Sequence, residues 1–412
     1  MTRNKTSCFW NSAETESILR IFSYCDSERD LLSIAWTCKN FQQIAFCSDA
    51  DSLWTSKAFK VCMNDQCWCG RPSYDRKSVG TIFAHLDVEL CCSVKLFCKY
   101  LLTASKSNRN YRKMYFSFAS SNFENCNEIM KSLGSVERGS FPRLTSLTMN
   151  STELTKLNFE SANVLLQILG KSLTSLNMFP SSPRGALSIL HTSSPNLRYL
   201  RLDSICHYDV NLPYFNNNLE EIMFSYPPTE FQYRGELRLQ NLKKFSMSGM
   251  TDDFASCNAR LSVLPEGLEH LDIGDSATCG SNEVLLSIST RFHRLKHLVI
   301  NSGDKAHILF NRTFAAFVEG CPLLETLDLS GALVIFDDGA LEILCSLKHL
   351  HTLNIPYSAR YIPSIRFLLS TNSSRIKQIG FRLLAKEEKV EAALHVLDLK
   401  RRFLAVTFIV DV

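Results

Sequence analysis

A short apolar pattern recurs through most of this chain of 412 residues. It reads apolar-x-x-apolar-x-apolar, as in Leu268/Leu271/Ile273. Eleven copies follow one another, with first positions 22 to 29 residues apart. These first positions are Leu144, Leu173, Leu197, Leu219, Leu242, Leu268, Leu295, Leu324, Leu350, Ile376 and Phe403. A regular period of this length indicates that the chain repeats one supersecondary unit.

The pattern has a direct physical meaning when each copy is a β-strand. The fourth and sixth residues then point to one side of the strand and enter a core, whereas the third and fifth point to the other side. One repeat cannot bury its apolar side alone, so consecutive repeats stack and their strands form a parallel sheet. The spacing is typical of leucine-rich repeats. We therefore predict an α/β solenoid of about ten or eleven repeats over residues 141–412, with parallel strands inside and helices outside.

The segments that return from one strand to the next carry apolar residues at helical spacing. These predicted helices are residues 282–292, 313–319, 339–344, 363–369 and 387–397. Pro142, Pro195 and Pro322 each stand two residues before a strand pattern, where proline ends a helix. The final stretch, residues 403–410, is an apolar strand, and we expect a loop or a partner to cover its open edge.

Residues 58–140 show no copy of the pattern, and we predict that they form a helical linker and an N-terminal cap for the repeats. Apolar residues from Phe83 to Leu101 are spaced three or four apart, which predicts an amphipathic helix. The alternation of Met114, Phe116 and Phe118 predicts a capping edge strand over residues 111–118.

Residues 9–57 differ from the repeats and predict a small all-α module of three helices. Ile18, Leu19, Ile21 and Phe22 crowd one side of a short helix, and a second helix begins near Leu31. The periodicity alone is equally consistent with an ordinary cap on the solenoid.

In order and spacing, the residues of this module resemble the F-box family. The matching stretches are Glu16-Ser-Ile-Leu-Arg-Ile-Phe-Ser-Tyr24, Asp30-Leu-Leu32, Ala35, Cys38-Lys-Asn-Phe41, Ile44-Ala45 and Leu53-Trp54. The resemblance covers residues 13–54, and with the repeats the whole chain is similar to F-box and leucine-rich-repeat proteins. That family usually begins the box with Leu-Pro, where this chain has Ala13-Glu14. Losing one apolar anchor there costs roughly 1–2 kcal/mol of adaptor binding.

The resemblance implies a role as a substrate-recognition subunit of an SCF-type ubiquitin ligase. The box of such a protein docks on a Skp-type adaptor bound to a cullin, and the repeats capture a protein substrate for ubiquitin transfer. The implied adaptor-binding residues are Glu16, Ile18, Leu19, Ile21, Phe22, Leu31, Leu32, Cys38, Phe41 and Trp54. We expect such a protein in the cytoplasm, the nucleus or both.

The composition argues against several other classes of protein. A formal net charge of +4 is small for this length and disfavours a general nucleic-acid-binding surface. The first residues contain no apolar segment of a secretory signal, and no stretch is long enough to span a membrane. Eleven of the 16 cysteines fall by Cys126 without a zinc-ligand spacing, so we expect free thiols, no metal and no cofactor.

Charged residues on the predicted inner face alternate in sign from strand to strand, so opposite charges can pair across the sheet. We expect His270 and His297, at equivalent positions, to hydrogen bond to neighbouring acids rather than to hold a metal. An inner face of this kind either orders the sheet or selects a protein with a complementary pattern. The candidate substrate-binding residues are Tyr199, Arg201, His270, His297, His351, Asn354, Lys377 and Gln378.

Two other functions compete with the ligase subunit. One is a non-catalytic interaction scaffold whose altered box does not engage the adaptor. The other is an enzyme or enzyme regulator, which nothing in the sequence supports, because phosphate-binding loops and hydrolase motifs are absent. We therefore expect a binding protein and not an enzyme.

Overall fold

The computed structural model describes the backbone of residues 58–62, 87–91 and 113–118, and residues 141, 144–151, 166–179, 190–202, 218–225, 239–248, 254–274, 280–301, 307–332, 334–337, 339–372, 375–383 and 388–411. The chain divides into two compact units, Met1–Phe179 and Pro180–Val412.

In the described part of the first unit, five parallel strands pair in chain order. These are β1 (Ala58–Cys62), β2 (Asp87–Cys91), β3 (Lys113–Phe118), β4 (Ser146–Ser151) and β5 (Ser175–Phe179). Their register aligns Phe59, Val88, Met114, Leu147 and Leu176. The first three of these residues thus stand at the fourth position of the repeat pattern, so the repeats begin well before Leu144.

This result corrects three predictions for residues 58–140. Asp87–Cys91 is a strand, so the amphipathic helix predicted from Phe83 to Leu101 is wrong over these five residues. Lys113–Phe118 is a strand as predicted, but it pairs with β2 on one side and β4 on the other and is not an edge. The segment also contains repeats. Their first positions are Ser56, His85 and Tyr111, which are not aliphatic and therefore hid the pattern.

The second unit contains a larger parallel sheet, with nine described strands that pair in chain order. They are β6 (Tyr199–Leu202), β7 (Glu221–Phe224), β8 (Lys244–Met247), β9 (His270–Ile273), β10 (His297–Ile300), β12 (Thr326–Asp328), β14 (Thr352–Pro356), β15 (Gln378–Arg382) and β16 (Thr407–Asp411). Two short strands, β11 (His307–Leu309) and β13 (Val334–Phe336), form a separate parallel pair.

Helices occupy the described return segments between β8 and β16, as predicted, and a short helix precedes β6. They are α1 (Leu190–Ser193), α2 (Phe254–Leu261), α3 (Asn282–Arg291), α4 (Asn311–Gly320), α5 (Ala340–Ile343), α6 (Ile362–Asn372) and α7 (Lys389–Arg402). The side chain of Ser281 accepts a hydrogen bond from the backbone N–H of Val284 and so caps α3.

The core of the second unit consists of the residues that the pattern placed inside. Fourth- and sixth-position side chains from Leu200 to Phe381 are buried, and the helices bury Val284, Ile288 and Phe317 against them. Fully burying one such side chain contributes about 1.5–3 kcal/mol. The prediction of a repetitive α/β fold with a parallel sheet is confirmed for this unit.

The predicted register of the last copy of the pattern is wrong. Ile379 pairs with Phe408 and Phe381 with Val410, so the fourth position of the last repeat is Phe408 rather than Val406. The first position of that repeat is therefore Ala405, two residues after Phe403. Within the described residues, β16 pairs with β15 alone, and its predicted cover stays a prediction.

Candidate partner-binding face

The side of the second unit's sheet that faces away from the helices carries the second-, third- and fifth-position residues of β6–β10, β12, β14 and β15. We call this side the open face. In β6, β7 and β9, buried residues alternate with half-buried or exposed ones, because successive side chains point to opposite sides of a strand. Equivalent residues of neighbouring strands thus form rows across the sheet, about 4.8 Å apart.

The second-position row alternates in charge along the sheet. Its members are Arg198, Glu220, Lys243, Glu269, Lys296, Glu325, His351 and Lys377. Arg198 lies 3.5 Å from Glu220, Lys296 lies 2.8 Å from Glu269, and the Nε2 atom of His351 lies 3.5 Å from Glu325. The hydrogen bond from Lys296 lowers the pKa of Glu269. Each exposed pair contributes about 0.2–1 kcal/mol, so this row mainly orders its side chains.

The third-position row contains a stacked pair of imidazoles. The rings of His270 and His297 are nearly parallel, with an interplanar angle of 9° and centroids 4.0 Å apart. Burial and the neighbouring His297 lower the pKa of His270 to about 4, and burial also lowers the pKa of His297. Both rings are therefore neutral near pH 7. The expected hydrogen bonds to acids are replaced by this contact between the two rings.

The fifth-position row is held by hydrogen bonds between side chains. The hydroxyl of Ser246 donates to Asp272 over 3.0 Å, and the amide of Asn354 donates to Asp328 over 2.8 Å. Gly380 leaves the space that Asn354 occupies, since a Cβ atom there would lie 3.0 Å from the Asn354 Cγ atom. The row therefore presents a fixed set of polar atoms.

All eight candidate substrate-binding residues lie on the open face, in three rows. His351 and Lys377 belong to the second-position row. Tyr199, His270, His297 and Gln378 belong to the third, and Arg201 and Asn354 to the fifth. The structure brings His270 and His297 into contact, and it ties His351 to Glu325 and Asn354 to Asp328. Tyr199 stands out because its large ring is 42% exposed. Their role in binding stays a prediction.

Three exposed cations of the open face, Arg198, Lys243 and Lys244, are not among the candidate substrate-binding residues. Arg198 and Lys244 keep much of their side chains in solvent although each lies near a glutamate, Glu220 or Glu221. The alternation of charge predicts that these cations pair with glutamates, and only the side-chain conformations show how much of each cation remains exposed.

The open face is electrically balanced. It carries six cationic residues, Arg198, Arg201, Lys243, Lys244, Lys296 and Lys377, and six anionic ones, Glu220, Glu221, Glu269, Asp272, Glu325 and Asp328. A balanced face attracts no polyanion over a distance and discriminates by the pattern of its charges.

The predicted adaptor-binding residues lie outside the described residues; these are Glu16, Ile18, Leu19, Ile21, Phe22, Leu31, Leu32, Cys38, Phe41 and Trp54. Among the residues that the structure does describe, no group of three or more His, Cys, Asp or Glu side chains is arranged to hold a metal ion. Within the same residues, no helix combines the length and the apolar character needed to cross a membrane.

The chain was compared with protein families, curated proteins and solved structures. No family model matches the chain, and no curated protein matches it. Among solved structures, the chain is similar to one described as the crystal structure of the Rad7 and Elc1 complex in yeast, with 15% sequence identity and a TM-score of 0.46. The similarity covers 92% of this chain and 91% of that one. A likeness of this degree carries no argument about function.

Proposed function

We propose that this protein is a substrate-recognition subunit of an SCF-type ubiquitin ligase. Its N-terminal box binds a Skp-type adaptor and, through it, a cullin. Its open face binds a protein substrate, and the chain has no catalytic centre of its own. Such a subunit works in the cytoplasm, the nucleus or both.

The observation that carries the substrate-binding half of this proposal is the register of the open face. Eight consecutive strands hold their side chains in rows, and ion pairs, hydrogen bonds and the imidazole stack fix many of these side chains before any partner arrives. A surface ordered in advance loses less side-chain entropy on binding. This favours recognition of a folded or extended protein segment.

The charge pattern supports a protein rather than a nucleic acid as the ligand. The six cations alternate with six anions, so no continuous positive strip follows the sheet. Nucleic-acid binding draws its affinity from many phosphate contacts to Lys and Arg, which such an alternation prevents. The exposed Tyr199 supplies an aromatic anchor of the kind found at protein interfaces.

The adaptor-binding half rests on the resemblance of residues 13–54 to the F-box family. The apolar residues of the box motif are retained, and Ala13-Glu14 replaces the usual Leu-Pro. A weakened adaptor complex fits this pattern. The alternative, a repeat scaffold that does not engage a ligase, differs from the proposal only in this half.

Affinity capture of the full chain with a purified Skp-type adaptor separates the two functions. We expect a complex that Phe22→Ala and Trp54→Ala abolish and that Tyr199→Ala leaves intact, since Tyr199 lies on the open face. Retention of the adaptor by both box variants would contradict the assigned contacts. Absence of any complex with the wild-type chain would favour the scaffold.

Proximity labelling with the proteasome blocked identifies the substrate. We expect proteins whose ubiquitination depends on Phe22 and whose labelling is lost with the open-face pair Tyr199→Ala and Lys244→Glu. A matched control is Leu286→Gln, which changes an exposed leucine on α3. Equal losses with the control would show that the open face has no special part in recognition.

A further inference from the structure

The last helix, α7, carries apolar residues on two sides. Its inner side is buried in the core of the second unit through Ala392, Val396 and Leu399. Four residues on the outer side or in the turn that follows are exposed: Val390 by 72%, Leu394 by 62%, Leu397 by 52% and Leu404 by 89%. A surface helix ordinarily turns polar residues outward, so a second apolar row needs a reason.

The outer apolar residues form one stripe along the helix. Val390, Leu394 and Leu397 are four and three residues apart, which places them on one side of an α-helix. A helix of this length spans roughly 21 Å. This is the anchor spacing with which one amphipathic helix packs against another.

The side of α7 toward α6 is polar and fixed by charge pairs. Asp398 lies 2.6 Å from Arg366 of α6 and 3.0 Å from Arg402 within α7. The carboxylate is therefore already neutralised by two guanidinium groups.

Both glutamates near the start of α7 lie on the same polar side. The hydroxyl of Tyr357 is 2.8 Å from the Nδ1 atom of His395, which anchors the helix. Burial raises the pKa of Tyr357 to about 12, and the negative charges of Glu391 and Glu388 add to that increase. Glu391 also stands three residues before Leu394 and therefore borders the outer stripe on the side toward α6.

On the side away from α6, the charged residues beside the stripe are cations, whereas Glu391 and the paired Asp398 border the stripe on its other side. Lys389, Lys400 and Arg401 are exposed, and among the described residues none of the three forms an ion pair with an acid. At 100° per residue, Lys389 and Lys400 flank the stripe on the side away from α6, and Arg401 falls within it. We call the stripe and these three cations the outer face of α7. It is apolar and positively charged.

We propose that the outer face of α7 is a second docking surface, which binds an acidic amphipathic helix of another protein. The partner helix supplies apolar residues at matching spacing, flanked by glutamates or aspartates that pair with Lys389, Lys400 and Arg401. The apolar stripe provides affinity, and the cations fix the orientation of the partner.

The charge of the outer face argues against two other occupants. A second copy of the chain, packed antiparallel, would place Lys389 beside Lys400 and Arg401 of its mate, and like charges repel. An interfacial membrane helix inserts its apolar face of leucine, phenylalanine or tryptophan into the lipid, whereas one apolar side of α7 is already buried in the core and the outer stripe has no aromatic residue. The proposal is independent of the adaptor and of the open face.

A binding titration with designed peptides tests the proposal on the full chain. The probe is a fluorescent helical peptide with leucines at the spacing of the stripe and flanking glutamates. The control peptide has lysine in place of each glutamate. We expect the full chain to bind the acidic peptide, with an affinity that falls as salt is added, and not to bind the control.

Protein variants then locate the site. Leu394→Gln and Arg401→Glu each weaken binding of the acidic peptide by about tenfold or more, whereas Ile308→Gln, which changes an exposed residue of β11, has no effect. Lys400→Glu combined with Arg401→Glu reverses the preference toward the lysine peptide. Because these side chains are exposed, we expect unchanged urea midpoints.

Three results would overturn the proposal. The first is that the full chain does not bind the acidic peptide at all. The second is that it binds the acidic and the lysine peptide equally well. The third is that it binds vesicles of phosphatidylcholine and phosphatidylserine but neither peptide, which would identify a membrane as the ligand. Equal weakening by Ile308→Gln would also refute the assigned location.

Discussion

The substitution Gly320→Ala tests the packing of neighbouring helices in the second unit. Gly320 is the last residue of α4, where the chain passes close to Ser289 of α3. A Cβ atom at Gly320 would lie 2.7 Å from the Cβ of Ser289 and 2.8 Å from its carbonyl carbon, and nearer still to its carbonyl oxygen. Normal carbon–carbon contacts begin near 3.5 Å. The helices would have to separate by roughly 1 Å, because no rotamer change moves backbone atoms away.

The expected cost follows from two opposing effects. Overpacking of this kind destabilises by about 1–3 kcal/mol, and more where backbone must move. Alanine is better than glycine in a helix by about 1 kcal/mol at most, and less at a helix end. We therefore expect Gly320→Ala to lower the free energy of unfolding by about 1–3 kcal/mol.

Gly267→Ala provides a matched control, because nothing lies within 4 Å of a Cβ atom built at Gly267. Surface changes of this kind stay within about 0.5 kcal/mol. Urea denaturation followed by circular dichroism measures both variants, and hydrogen exchange locates the effect. We expect α3 and α4 to lose protection in Gly320→Ala while α7 keeps it, since repeat proteins couple mainly to nearest neighbours. Equal midpoints and protection in the two variants would refute the close approach.

Three further predictions concern stability and reactivity. Burial keeps the pKa of His270 at about 4, below its ordinary 6.5, so between these pH values only the unfolded chain takes up the proton. The free energy of unfolding should therefore decrease by about 1–2 kcal/mol as the pH is lowered from 6.5 to 4. His270→Asn should flatten this part of the profile of urea midpoint against pH. Tyr361→Phe removes a buried hydroxyl that accepts hydrogen bonds from the Phe336 amide and Arg360, and should cost about 1–3 kcal/mol in urea denaturation; an unchanged midpoint would contradict those bonds. Burial raises the pKa of Cys321 to about 12, so a thiol reagent should modify half-buried Cys345 much faster than it modifies Cys321. Mass spectrometry measures both rates, and equal rates would argue against the burial of Cys321.

The repeats of the second unit could be predicted because their first, fourth and sixth residues are almost all large and apolar. In the first unit, Ser56, His85 and Tyr111 occupy the first positions, so the repeat pattern did not identify β1, β2 and β3 as repeats, although alternation alone predicted β3. The apolar spacing from Phe83 onward predicted a helix where β2 lies, since short apolar runs fit both periods. In the last repeat, the prediction placed the first position at Phe403 because it is large and apolar, whereas the first position is the small residue Ala405.

The rows of the open face were also predictable, because equal register follows from equal spacing. Which side chains pair within a row could not be predicted, because the pairing depends on side-chain rotamers. Lys296 pairs with Glu269, and His270 stacks on His297 rather than bonding to an acid. The outer face of α7 was missed because its stripe and the buried stripe have the same helical period, and sequence alone does not say which side meets the core.

The register of neighbouring strands is the central claim, and disulfide formation measures it directly. His270→Cys with His297→Cys places the two thiols on register partners, about 4.8 Å apart between Cα atoms, which suits a disulfide. His270→Cys with Val299→Cys displaces one thiol by two residues, to a separation of about 8 Å, which is too far. After mild oxidation and digestion, mass spectrometry should detect the cross-link in the first pair and not in the second. A cross-link in the second pair and none in the first would contradict the stacked repeats and the open face built on them.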